Sequence, residues 1–221
     1  MFAGHIGAGL ALARMERRVN VGVFIASALL LDIVLWILVL LGRESIVLSA
    51  DFARTRQPSF TFPFSHGLLA SLLWAALSAL ALFAFASRLG ASRARAALLV
   101  GTAVFSHWSL DALVHRSELP VAGALNAGLG LWDQLPLALG VETGILFFGM
   151  GAFLTGSDLP RGRSIGIAAV ALLTLALTLT GMTVAPPPPS AFAMASSSLV
   201  TLAVVCALSS WLGRRPRAQP A

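Results

Sequence analysis

Within the stretch FSHWSLDALVH, residues 105–115, His107, Asp111 and His115 recur at intervals of four. On an α-helix that interval stacks all three on one face, a turn apart. An imidazole and a carboxylate so spaced can hold a single divalent cation, as paired histidines do in the H-x-x-x-H arrangement. Another histidine, His66, opens a separate apolar run at a similar depth, and His5 is the fourth and last in the chain. Nitrogen and oxygen donors with no thiolate suit zinc, and manganese or iron are compatible with the same set. The single cysteine, Cys206, lies in an apolar segment. It reads as a small buried hydrophobe and offers neither a disulfide nor a thiolate cage.

The elements that must position these groups are membrane-like. Of 221 residues, 57% are hydrophobic and 11% charged, and the mean hydropathy is +0.88. Soluble domains carry about 25% charged residues. A helix needs about 20 apolar residues to cross the hydrocarbon core. Six runs qualify: 20–42, 64–87, 94–115, 133–156, 164–184 and 191–213. The chain is therefore expected to be all-α, a polytopic transmembrane bundle of about six spans forming one integral membrane domain over 1–221. The polar groups fall in 1–156, and 164–213 reads as two apolar packing helices joined by the stiff turn APPPPS. The segment FAGHIGAGLALA is too short to span. It is expected to lie in the interface or to dip in as a half-helix, with Gly4, Gly7 and Gly9 permitting close helix contact.

Arginine placement sets the topology. The net charge is +6 and all fifteen basic residues are arginine, with a pI near 11.6. They sit at the ends of apolar runs and form no continuous basic stripe, which excludes nucleic acid as a partner. With the N-terminus cytoplasmic, eleven fall in inside segments: Arg14, Arg17, Arg18, Arg88, Arg93, Arg95, Arg161, Arg163, Arg214, Arg215 and Arg217. Four fall outside: Arg43, Arg54, Arg56 and Arg116. The expected orientation is N-in and C-in. No cleavable leader and no internal repeat is expected.

A carboxylate near a helix centre costs about 2.5–3.5 kcal/mol on insertion scales. Asp32, at least ten residues from either edge of its run, must neutralise, pair or bind a cation. His107 with Asp111 reads as a metal pair or as a hydrogen-bonded lock between helices, and His115 as a proton donor or a helix cap. Asp133 is an N-cap or a general base. Glu142 is a bundle-facing hydrogen bonder or a base.

In order, GHIGAGLALA, LLLDIV, PFSHGLLASL and GTAVFSHWSLDALVHRSELPV resemble the YdjM-like family of membrane-bound metal-dependent hydrolases of the inner membrane. That family shows an N-terminal G-H, an L-P-D-x-D segment, a T-H-S motif and an S-H-x-x-x-D motif. The resemblance covers roughly residues 1–135. It implies that His5, Asp32, His66, His107 and Asp111 are the metal ligands or their close neighbours. The family's second aspartate corresponds here to Val34 and an additional histidine to Thr61, which favours one metal over two.

The expectation is a membrane-embedded metal-dependent hydrolase with zinc first among the metals. Glu142 or Asp133 would be its base and His115 its proton donor. Its partner would be a membrane lipid, phosphate-bearing ones included, as the substrate. Two other readings stay open: a small proton-coupled permease using Asp32, Glu142 and the histidines as a relay, or a non-catalytic scaffold.

Overall fold

The computed structural model describes residues 1–48, 52 and 56–215; Arg54 and Arg217 lie outside them. Among the described residues, eight α-helices form an all-α bundle: α1 Phe2–Met15, α2 Val21–Ala28, α3 Leu30–Leu40, α4 Leu68–Phe85, α5 Arg93–Val114, α6 Leu135–Gly156, α7 Arg161–Thr183 and α8 Ala191–Leu212. Two small antiparallel hairpins complete it. β1 Ser45–Val47 pairs with β2 Ser59–Thr61 in the register Ile46 to Phe60. β3 Leu119–Ala122 pairs with β4 Leu125–Ala127 across an irregularity between Pro120 and Ala122. Helices α4 to α8 are each long and apolar enough to cross a membrane. The most exposed of them, α4, buries only Ser71 and Ala75.

The first predicted span differs from a straight helix. It is broken at Leu29, and α2 and α3 meet at a bend of 52°. No proline or glycine stands at the break. Instead the Ala28 carbonyl accepts a hydrogen bond from His107 Nδ1 at 2.7 Å. A side chain that enters the i→i−4 ladder is a recognised cause of kinks, and this one ties the bend to α5.

Helix α1 is the half-helix anticipated in the sequence, and its place is inside the bundle. Ala3, Gly4, His5, Ile6, Gly7, Gly9, Leu10 and Ala13 are all buried. Burial at this density requires backbones in contact. A Cβ on Gly149 of α6 would stand 1.9 Å from the Gly7 carbonyl oxygen, and one on Gly7 would stand 2.5 Å from the Ile145 oxygen. One Cβ on Gly9 would meet the Phe24 oxygen at 3.0 Å. These contacts press α1 against α2 and α6.

The bundle has two chemically distinct ends. At one, Arg17 and Arg215 each reach Asp158 at 3.1 Å, Arg18 donates to Ser92 Oγ at 2.6 Å and Arg95 to the Met15 carbonyl at 2.9 Å. These are the segments whose arginines were predicted to share one side. At the other end lie the hairpins, the Arg116–Asp133 pair at 2.7 Å and Arg56, which donates to the Thr183 carbonyl at 3.0 Å and also to that of Ala185.

Gly149→Ala is expected to cost about 1–3 kcal/mol through overpacking, read as a lower unfolding temperature in detergent. Gly151, where a Cβ meets nothing within 4 Å, supplies the control, and Gly151→Ala should leave that temperature unchanged. Equal melting of the two variants would show that α1 does not pack where described.

Candidate metal centre

Four elements bring five titratable groups to one region, in the half of the bundle away from the arginine end. His5 comes from the second turn of α1 and Asp32 from α3 just past the bend. His66 precedes α4, and His107 and Asp111 come from α5. His5, His66, His107 and Asp111 are 0–2% exposed, while the Asp32 side chain retains 21%.

The distances are those of ligands around a cation. His66 Nε2 and His107 Nε2 are 3.2 Å apart. Asp111 Oδ2 stands 3.4 Å from the first and 3.2 Å from the second, and Asp32 Oδ1 lies 3.7 Å from each. Four donors at 2.0–2.2 Å from a tetrahedral ion are separated by about 3.3–3.6 Å. On the other side of the carboxylate, Asp111 Oδ1 meets His5 Nε2 at 3.1 Å and the Met1 nitrogen at 3.2 Å. The His5 ring stacks on that of His107 with centroids 3.6 Å apart. Two overlapping groups, His5 with Asp32 and His107, and His66 with His107 and Asp111, each bring their ligand atoms within 4.8 Å of one another. These buried groups could hold a metal ion.

The partners of the remaining ring nitrogens decide the tautomers. The Ala28 carbonyl can only accept, so His107 carries its proton on Nδ1. Ser65 Oγ donates to Glu44 Oε2 at 2.7 Å and therefore accepts from His66 Nδ1 at 2.8 Å. Glu44 is itself fixed by the backbone N–H groups of Phe64 and Ser65 at 2.8 and 2.9 Å. His115 Nδ1 donates to Glu118 Oε1 at 2.6 Å. Three Nε2 lone pairs thus face two carboxylates and each other. Acceptors facing acceptors in a dry interior repel unless protons or a cation lie between them. Moving one proton relieves one contact, whereas a divalent cation relieves all of them.

The acid–base candidates separate. His115 is 4% exposed, its Nε2 3.8 Å from Asp111 Oδ2, and its ring is enclosed by Phe60, Phe62 and Trp132 at centroid distances of 5.4, 5.7 and 4.3 Å. Glu142 Oε1 accepts from the backbone N–H of Ala3 at 2.7 Å and of Gly4 at 3.3 Å. It thereby satisfies the first donors of α1, which has no side-chain cap of its own. Asp133 is not brought to the cluster. It pairs at the surface with Arg116 and is 55% exposed, and α6 starts at Leu135 with no side-chain cap, so Asp133 is not its N-cap either.

A cavity of about 490 Å³ reaches the cluster at Asp32, His66, Asp111, His115 and Glu142. Its other walls include Trp36 of α3, Leu177 and Met182 of α7, and Met194 and Leu202 of α8. The last two helices, expected only to pack, are cavity walls, because their apolar faces line the open space beside the buried charges. Glu44, Ser65 and Glu118 were not singled out from the sequence. Ser65 and Glu118 stand one and three residues from histidines, while Glu44 is joined to His66 only by the return of the chain through β1 and β2.

No family model, no curated protein and no solved structure matches this chain. The fold and the cluster therefore define the class on their own: a bundle with membrane-spanning character around a buried histidine–aspartate centre able to bind metal.

Ser65→Ala removes the link between Glu44 and His66 without touching a ligand atom. Affinity for zinc, measured by competition with a chromogenic chelator, should fall about 10–100-fold, as for other outer partners of metal-binding histidines. Unchanged affinity would show that this link does not orient His66.

Proposed function

We propose that this protein is a membrane-embedded metal-dependent hydrolase whose substrate is a lipid or another membrane-associated ester. The observation that carries this reading is the convergence of two Nδ1-anchored imidazoles, His66 and His107, and two carboxylates on one point, with His115 beside Asp111 and a cavity of mostly apolar surface next to them. The resemblance to the YdjM-like hydrolases agrees with it in residue type and order.

Asp32, His66, His107 and Asp111 would hold the ion, zinc first among the candidates. When bound, it supplies a Lewis acid that polarises a phosphoryl or carbonyl oxygen and activates water near neutral pH. The chain's own residues do the rest. Glu44 through Ser65, and the Ala28 carbonyl, keep His66 and His107 turned inward. His115, its Nδ1 proton held by Glu118, takes the proton of the attacking water on Nε2 and returns it to the leaving oxygen. Glu142 anchors α1 and so holds His5 against Asp111. The apolar side chains among the walls, Leu35, Trp36, Leu177, Met182, Met194 and Leu202, accept an acyl chain, and the 490 Å³ volume lies within the usual range for ligand cavities.

The arginine end is taken as cytoplasmic. Both termini then face inward and the centre lies in the outer half of an inner-type membrane, at the depth of lipid esters.

The purified full chain should contain first-row metal in stoichiometric amount, and His107→Ala and Asp111→Ala should each lose it while still eluting as folded protein. Hydrolysis of fluorogenic phospholipids in proteoliposomes should vanish with both variants and with chelator. Wild-type protein free of metal after metal-supplemented expression, or metal-loaded protein inert toward phosphoester and carboxyl-ester lipids, would sink the reading.

A further inference from the structure

The four mutually closest donors pose a chemical difficulty. Asp32, His66, His107 and Asp111 Oδ2 would close a tetrahedron around one ion. A closed shell of four protein ligands is the mark of a structural site, whereas hydrolytic sites keep a position open. One strong donor is meanwhile left over. His5 Nε2 faces Asp111 Oδ1 at 3.1 Å, the oxygen turned away from His66 and His107, and it falls in a second ligand-like group with Asp32 and His107.

The two groups share His107, which cannot serve two ions because its Nδ1 is committed to the Ala28 carbonyl. Asp111 can, since Oδ1 faces His5 and the Met1 nitrogen whereas Oδ2 faces His66 and His107. His5 also differs from the other histidines in its second nitrogen. Its Nδ1 is buried with no partner among the described residues, so the proton that Nε2 shares with Asp111 Oδ1 can move to Nδ1 and leave Nε2 free to bind a cation.

We propose that Asp111 bridges two divalent cations, one held with His66 and His107 and the other with His5 and Asp32. The proposal rests on the metallohydrolase reading and deepens it. Drawing Asp32 to the second ion leaves each cation three protein ligands and an open position. Paired cations about 3.5–4 Å apart clamp the attacking and leaving oxygens of an in-line displacement, the arrangement used on phosphoesters. The substrate class is therefore a phosphoester lipid, ahead of a carboxyl ester. Neither Val34 nor Thr61 is needed for this. Thr61 is exposed on β2, and Val34, two residues from Asp32, lies on a different face of α3.

The test is a count. The full chain in detergent, stripped with chelator, is brought to saturation with Mn²⁺ by equilibrium dialysis, and bound metal and the electron paramagnetic resonance spectrum are recorded. Two ions per wild-type chain with the broadened spectrum of a coupled pair are expected. His5→Ala and His66→Ala should each retain one ion with an uncoupled six-line spectrum. One ion per wild-type chain at saturation, or two uncoupled ions, overturns the bridge and leaves a single-metal hydrolase standing. No bound ion overturns both. The deciding count is made on the wild type, so a variant that fails to fold does not blur it.

Discussion

A carboxylate with almost no access to water, Asp111, is the constraint around which the bundle is organised. Removing such a group from solvent is tolerated only if both of its oxygens find positive or donating partners. Here the Met1 nitrogen and His5 face one oxygen, while the other meets the Nε2 lone pairs of His66, His107 and His115, a set of acceptors that a proton or a cation between them would satisfy. Each of these partners comes with its own support: Glu142 under α1, Ser65 and Glu44 behind His66, the Ala28 carbonyl behind His107, and Glu118 behind His115. The network spans α1, the α2–α3 bend, the loop before α4, α5 and α6. A bundle held by apolar packing alone would have no reason to collect these groups at one point.

Two local departures from ideal helical structure serve the same end. The bend at Leu29 frees a carbonyl that fixes the His107 tautomer and carries Asp32 to the cavity edge. The bare backbone contact between Gly7 and Gly149 lets α1 lie deep enough for His5 to stack on His107. Lengthening either side chain would push His5 away from Asp111, so the glycines are as much a part of the centre as its donors. Small residues at helix contacts are the usual means of close approach in membrane bundles. In this protein the approach also sets ligand geometry.

The cavity joins two environments that rarely adjoin. Its floor carries the buried histidines and carboxylates, and its opposite walls mix apolar side chains, Leu35, Trp36, Leu177, Met182, Met194 and Leu202, with the hydroxyls of Thr178, Ser197, Ser198 and Thr201. Helices α7 and α8 have no titratable group in the cluster, yet they determine what can reach it.

The sequence by itself determined the all-α class, the long apolar helices, and the residue types of the centre, because hydropathy and the four-residue spacing of His107, Asp111 and His115 are local properties of the chain. It also drew attention to His5, Asp32 and His66, which the fold then brings to His107 and Asp111. Tertiary structure alone decided the rest. The bend in the first apolar run has no proline or glycine to announce it and depends on a side chain 79 residues away. Glu142 and Asp133 looked alike as carboxylates near the start of one helix. One holds α1 and the other pairs with Arg116 at the surface, because they project from different turns toward different neighbours. Glu44 reaches His66 only through a hairpin. Which nitrogen of each histidine is free, and which oxygen of Asp111 faces which set, follows from contacts between distant segments, and those contacts exist only once the bundle has closed.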